Sequence, residues 1–142
     1  MIDPENPVVQ LCQQGMHAEA QGKLEEARAF FARAWEARQN PYDACIAAHY
    51  LARHQETHED TLYWNQTAID QAAAVGDDSV RAFYPSLLLN LGWSYEQMEY
   101  FDEARLYYEQ AAARLEDVPT GPYRDVVEGG IQNGLRRTQR SD

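Results

Sequence analysis

Apolar and polar positions alternate along the chain with the period of an α-helix, in seven segments separated by turn signals. Asn6-Pro7 and Asn40-Pro41 each place a capping side chain before a proline at the first helical position, where the missing N–H costs nothing. Gly22 and Gly76 follow apolar-periodic segments and suit the left-handed conformation that ends a helix. The pattern predicts helices at 7–21, 24–38, 41–55, 60–75, 79–98, 102–117 and 122–138.

Three further polar residues are expected to cap the later helices: Asp60, Ser79 and Asp102. Pro85 lies inside the fifth predicted helix. It must either kink that helix or mark its true start, because proline removes a backbone donor and clashes with the preceding turn.

The helices come in pairs, and the spacing of their small and large residues repeats. Leu88, Leu91, Gly92 and Tyr95 are followed by Ala104 and Tyr108. This spacing resembles the tetratricopeptide repeat (TPR), a helix-turn-helix unit of about 34 residues. Equivalent residues occur twice upstream, most clearly in the first repeat, which contains Leu11, Gly15, Gly22, Ala27, Phe31 and Ala34.

The resemblance implies an all-α fold, a right-handed superhelix of about three TPR units closed by a C-terminal capping helix. Repeats are expected near 8–41, 42–84 and 85–122, with the cap at 123–138, all in a single TPR domain spanning 1–142. In the cap, Val126, Gly129 and Gly130 are expected to take the packing places of Leu88, Leu91 and Gly92.

On the first helix of each repeat, the glycine-containing stripe is expected to pack on the second helix, so the motif residues build scaffold. In stacked TPR units the other stripe lines a concave groove. Here that stripe carries apolar pairs such as Ile46/Tyr50 and Leu89/Trp93, with Glu19, Arg53 and Glu96 at the rim. The residues predicted to contact a partner there are Met16, Ile46, Tyr50, Arg53, His54, Leu89, Asn90, Trp93, Glu96, Val127 and Ile131.

Three interpretations of this apolar stripe remain open: an open groove that binds a partner, a groove filled by the seventh helix, and a homodimer interface. TPR domains are generally protein-interaction modules, so the resemblance implies a non-enzymatic scaffold for a protein or peptide. The acidic rim favours an apolar segment with basic flanks. The alternative is a self-associating or small-ligand-sensing regulatory domain with a closed groove. The TPR domains of co-chaperones bind the C-terminal carboxylate of a partner with Lys and Asn side chains on the first helices of the repeats. Only Asn90 matches that set here, so a site of this type is rejected.

The 142 residues include 12 basic and 23 acidic side chains, for a formal net charge of −11. This charge repels phosphate backbones and anionic lipids, so neither nucleic acid nor membrane is an expected partner. The first ten residues lack the features of a secretory signal, and we expect a cytoplasmic protein. Cys12 and Cys45 are then expected to be reduced thiols.

No arrangement of residues indicates catalysis, and we expect neither a cofactor nor a metal. His54 and His58 have the i, i+4 spacing of two metal ligands, but the repeat register puts them in a turn. His49 replaces the small glycine of the second repeat and is expected to wedge between helices. Asn40-Pro41-Tyr42 superficially resembles the base-binding loop of adenine methyltransferases, but the Asn-Pro pair is explained as a helix start and the rest of such an enzyme is absent.

Overall fold

Seven α-helices account for most of the chain in the computed structural model, which describes residues 3–139. Within these residues there is no β-strand, which confirms the all-α prediction. The helices are α1 (Pro7–Ala20), α2 (Leu24–Glu36), α3 (Pro41–Leu51), α4 (His58–Ala73), α5 (Tyr84–Gln97), α6 (Phe101–Ala113) and α7 (Pro122–Arg137).

The two Asn-Pro pairs start helices as the sequence predicts. The side chain of Asn6 accepts a hydrogen bond from the Val8 N–H at 2.8 Å, and that of Asn40 accepts one from the Asp43 N–H at 2.8 Å. Each bond satisfies a backbone donor that has no partner within the first helical turn. The asparagine that superficially resembled a base-binding residue is therefore a helix cap.

Some predicted helix starts are wrong. Thr57, rather than Asp60, caps α4, accepting a hydrogen bond from the Asp60 N–H at 3.0 Å. Asp77 caps a 3₁₀ segment, Asp78–Phe83, and α5 begins only at Tyr84. Pro85 thus marks the start of the fifth helix, because its ring fits the first turn without losing a hydrogen bond.

The α5–α6 turn contains a residue with a positive backbone angle. Glu99 has φ 63°, and Gly22, at the equivalent place between α1 and α2, has φ 76°. The helix that follows begins at Phe101 with Tyr100 as its cap, and Tyr100 makes no side-chain capping bond. Asp102, the predicted cap, lies inside the first turn, where its charge favours the helix dipole.

The helices form two compact units, Met1–Gly76 and Asp77–Asp142. In the first unit α1 packs on α2 and α3 packs on α4, and α3 also contacts both helices of the first hairpin. Gly15 of α1 is essential to this packing, because a Cβ there would lie 2.3 Å from the Phe31 ring. The ring therefore fills the space that the glycine leaves open.

The second unit consists of the α5–α6 hairpin with α7 packed on both of its helices. Tyr108 of α6 is fully buried between two glycines. A Cβ on Gly92 would lie 2.7 Å from its ring, and a Cβ on Gly134 would lie 2.4 Å from it. The two glycines thus bring α5 and α7 against the same aromatic side chain.

The predicted packing face of α7 is wrong at Val126 and Gly129, although Gly130 does lie against Leu89 of α5. Val126 is 74% exposed, and a Cβ on Gly129 would meet no atom within 4 Å. The buried face carries Val127 and Ile131, which are 3% and 0% exposed, followed by Gly134. Since Gly134 meets the Tyr108 ring where Gly130 was expected to, the helix is rotated relative to the expected register. Val127 and Ile131, two predicted groove residues, are consequently core residues.

The boundaries of a single TPR domain over 1–142 remain a prediction, and residues 1–2 and 140–142 lie outside the part of the chain that the structure describes.

Candidate functional site

Most of the residues predicted to bind a partner lie on the first helix of a hairpin, and in each unit at least one of them takes part in an ion pair. In the first unit the Glu19 carboxylate pairs with the Arg53 guanidinium at 3.0 Å and also contacts His54 Nε2. Glu19 is itself largely buried, whereas Arg53 is about half exposed. These contacts join the C-terminal end of α1 to the 3₁₀ segment that follows α3.

The second unit repeats the arrangement. Arg137 of α7 donates to the Glu96 carboxylate from Nε at 2.7 Å and from a terminal nitrogen at 3.1 Å. The Tyr108 hydroxyl donates to the same carboxylate at 2.6 Å. Burial opposes ionisation of Glu96, but the hydrogen bonds from Arg137 and Tyr108 outweigh it and lower the pKa of the carboxyl. The pairing therefore holds Glu96 ionised and joins α5 to the capping helix.

Tyr50 is the aromatic centre of the first unit. Its ring stacks on Phe31 with centroids 5.4 Å apart and meets the His49 ring edge-on at 5.0 Å. The Arg53 guanidinium carbon lies 5.8 Å from the centroid of the Tyr50 ring. The side chain is therefore held by its neighbours and is only partly accessible.

Trp93 is the most accessible aromatic residue of the predicted set. It lies on α5 and is 43% exposed, while Leu89, one helical turn earlier, is partly buried. Leu89 lies against α7 where Gly130 has no side chain, since a Cβ on Gly130 would come within 2.9 Å of it. The surface formed by Leu89, Asn90 and Trp93 is called the α5 face below.

The other predicted binding residues differ in accessibility. Met16 is partly buried and Ile46 is buried, as are Val127 and Ile131. Arg53, His54 and Glu96 are engaged in the ion pairs, so they do not form the free charged rim that the sequence suggested. Of the predicted binding residues, Trp93 on the α5 face and Arg53 are thus the exposed ones.

Sequence reasoning missed the role of Arg137. Glu19, Arg53 and Glu96 occupy the same repeat position, and their alternating charge was visible. Arg137 continues the alternation, but the template placed Gly134 there, three residues earlier. The correct register depends on where the Tyr108 ring packs, which the local pattern does not contain.

The histidines and cysteines are residues of this chain with metal-binding or nucleophilic chemistry. Among residues 3–139, no cluster of three or more His, Cys, Asp or Glu side chains could hold a metal ion. His54 lies in the 3₁₀ segment after α3 and His58 is the first residue of α4. Burial raises the pKa of both Cys12 and Cys45 to about 12, so at neutral pH they are thiols and poor nucleophiles.

Within the same range, none of the helices has the length and apolar character needed to cross a membrane.

Comparison with known proteins identifies the α5–α6 hairpin as a known structural repeat. Residues 85–114 match the family model of the tetratricopeptide repeat. The match begins at Pro85, next to the observed start of α5, and extends just past the end of α6. The chain therefore contains a tetratricopeptide repeat, which lies in its second unit. Such repeats generally bind proteins or peptides and generally serve as non-enzymatic scaffolds.

No curated protein and no solved structure matches the chain.

Proposed function

We propose that this protein is a non-enzymatic scaffold that binds a protein or peptide through the α5 face. The supporting observation is Trp93, a large aromatic side chain that is 43% exposed on the first helix of the matched repeat. A partner that covered the exposed part of the Trp93 side chain would remove roughly 60–110 Å² of apolar surface from water, which would contribute about 1.5–3 kcal/mol to binding. A residue of this type at an accessible site is typical of an energetic centre of an interface.

The partner segment is expected to be apolar, with basic residues on its flanks. The support for the basic flanks is the net charge of −11, which attracts cations over the whole surface. Glu19 and Glu96 are already paired with arginines, so this attraction acts at long range rather than through a free acidic rim. We therefore expect salt to slow association more than it weakens the complex once formed.

Replacing Trp93 tests the proposal. Trp93→Ala is expected to weaken partner binding at least tenfold, as measured by calorimetry with a partner first isolated on the wild-type protein. The matched control is Leu106→Ala, because Leu106 is 57% exposed on α6 and lies outside the α5 face. Circular dichroism should show that both variants remain helical. Equal binding by wild type and Trp93→Ala would contradict the proposal.

Self-association is the competing use of the same face. Sedimentation of the wild type and of Trp93→Ala over a range of concentrations separates the two. A dimer that Trp93→Ala dissociates would assign the α5 face to a second copy of the chain.

A further inference from the structure

A second candidate site lies in the first unit and shares no residue with the α5 face. A cavity of about 310 Å³ opens between α2 and the segment that joins α3 to α4. Phe31, Ala32 and Leu51 supply its apolar lining. The other residues around it are polar or charged: Arg28, His54, Gln55, Glu56 and Asp60.

Two of the polar lining residues, His54 and Gln55, already contact other groups of the protein. His54 Nε2 contacts the Glu19 carboxylate. The Gln55 side-chain amide donates to the Leu51 carbonyl at 2.6 Å. These bonds hold the end of α3 and the following turn in place, so the cavity has a defined polar side without a ligand.

The side chains of the three charged lining residues, Arg28, Glu56 and Asp60, take part in no hydrogen bond or ion pair within residues 3–139. Arg28 lies on α2, whereas Glu56 and Asp60 lie on the opposite segment, just before α4 and in its first turn. The lining thus combines a cation on α2, two carboxylates on the facing segment and apolar residues.

We propose that this cavity binds a small zwitterion with an apolar side chain, of the size of a free apolar α-amino acid. Its carboxylate pairs with the planar Arg28 guanidinium, which matches carboxylate geometry. Its ammonium lies between Glu56 and Asp60, and its side chain packs against Ala32 and Leu51. The volume lies at the lower end of the range for small-molecule sites. This site and the α5 face share no residue, so either proposal can fail alone.

The charge requirement is tested with matched ligands. Isotope-labelled protein is titrated with L-valine, L-leucine and L-phenylalanine, and then with leucinamide and 4-methylpentanoate, which each keep only one of the two charges of leucine. We expect at least one amino acid to shift the amide resonances of residues 28–32 and 51–60. Leucinamide and 4-methylpentanoate should bind at least tenfold more weakly than leucine, since each loses a charge-assisted contact.

Two pairs of variants test the residues. Arg28→Gln and Asp60→Asn should each weaken binding about tenfold or more. Arg33→Gln and Glu59→Gln are the matched controls, because they remove the same charges from α2 and α4 outside the cavity lining, and they should leave binding unchanged. The proposal is overturned if no amino acid shifts these resonances at about 10 mM, if single-charge ligands bind equally well, or if the controls weaken binding as much.

Discussion

At the scale of single residues, Glu99 has a backbone conformation that glycine would adopt more easily. It lies in the turn between α5 and α6 with φ 63°, where a side chain crowds the following carbonyl. Gly22 fills the corresponding turn of the first hairpin with φ 76°. The second hairpin therefore carries a local strain that the first does not.

Replacing Glu99 by glycine should relieve that strain. We expect Glu99→Gly to raise the free energy of unfolding by about 0.5–1 kcal/mol, because the gain in the left-handed region exceeds the entropy lost on ordering glycine. Urea denaturation followed by circular dichroism measures the change. Glu99→Ala is the control, since it removes the same charge but keeps the Cβ. If Glu99→Ala stabilises the protein equally, charge rather than backbone strain is the cause.

His49 makes folding of the first unit sensitive to pH. Burial, assisted by the nearby Arg53 cation, lowers the pKa of His49 to about 4 from its ordinary value of 6.5. The unfolded state therefore binds a proton that the folded state excludes, so stability falls as the pH drops from 6.5 towards 4. Above pH 6.5 both states leave His49 neutral, and the effect disappears.

We expect this histidine to cost about 1–2 kcal/mol of stability between pH 6.5 and pH 5. Urea midpoints of the wild type and of His49→Gln, measured across that interval, test it: the slope should be smaller in the variant. His58→Gln serves as the comparison, because His58 is exposed and its removal should leave the slope as it is in the wild type. Identical slopes for the wild type and His49→Gln would contradict the assignment.

At the scale of elements, α7 is attached through a glycine contact and an ion pair in addition to its buried apolar residues, Val127 and Ile131. Gly134 admits the Tyr108 ring, and Arg137 reaches Glu96 one turn later. The helix therefore depends on close backbone approach, which makes it sensitive to a single added carbon atom.

Alanine substitutions on α7 should separate packing from helix propensity. Gly134→Ala places a Cβ against the Tyr108 ring and should destabilise the protein by about 1–3 kcal/mol. Gly129→Ala meets no neighbour and should stabilise it by about 0.5–1 kcal/mol, because alanine favours the helix. The two free energies of unfolding, from urea titration, should have opposite signs relative to wild type. Equal effects would refute the α7 register described above.

The register of α7 also shows the limit of sequence reasoning for an element. The run Val126, Gly129, Gly130 satisfies the repeat template, whereas the face that is actually buried carries Val127, Ile131 and Gly134. Both choices place apolar and small residues on one side of a helix. The fold selects between them through the ring of Tyr108, which is distant in sequence, and local periodicity does not contain that contact.

At the scale of the whole molecule, the helix pairs were predictable because the same spacing occurs twice. Gly15 precedes Phe31 by the same number of residues as Gly92 precedes Tyr108, and in both units the ring packs on the glycine. Helix starts were predictable where Asn-Pro pairs cap them. The predicted start of α5 is wrong because residues 78–83 form a 3₁₀ segment. Their hydrogen bonds join residues three apart, rather than the four of an α-helix, and the residue types alone do not distinguish the two.

The candidate binding surface was predictable only in part. The repeat position of Trp93 follows from the resemblance, and the structure leaves its side chain accessible. The pairing of Glu19 with Arg53 and of Glu96 with Arg137 joins residues on separate helices, so it depended on tertiary packing. The cavity beside Arg28 likewise forms from two elements that no single stretch of sequence connects.

The two buried cysteines can report local opening of the first unit through their rate of chemical labelling. Cys12 and Cys45 are both buried, free thiols of the first unit, and the second unit contains no cysteine. A thiol-specific reagent can label them only after the surrounding helices open. The labelling rate of the wild-type protein therefore measures how often the first unit, Met1–Gly76, opens locally. No probe has to be introduced, and the second unit, which carries Trp93, does not contribute to the signal.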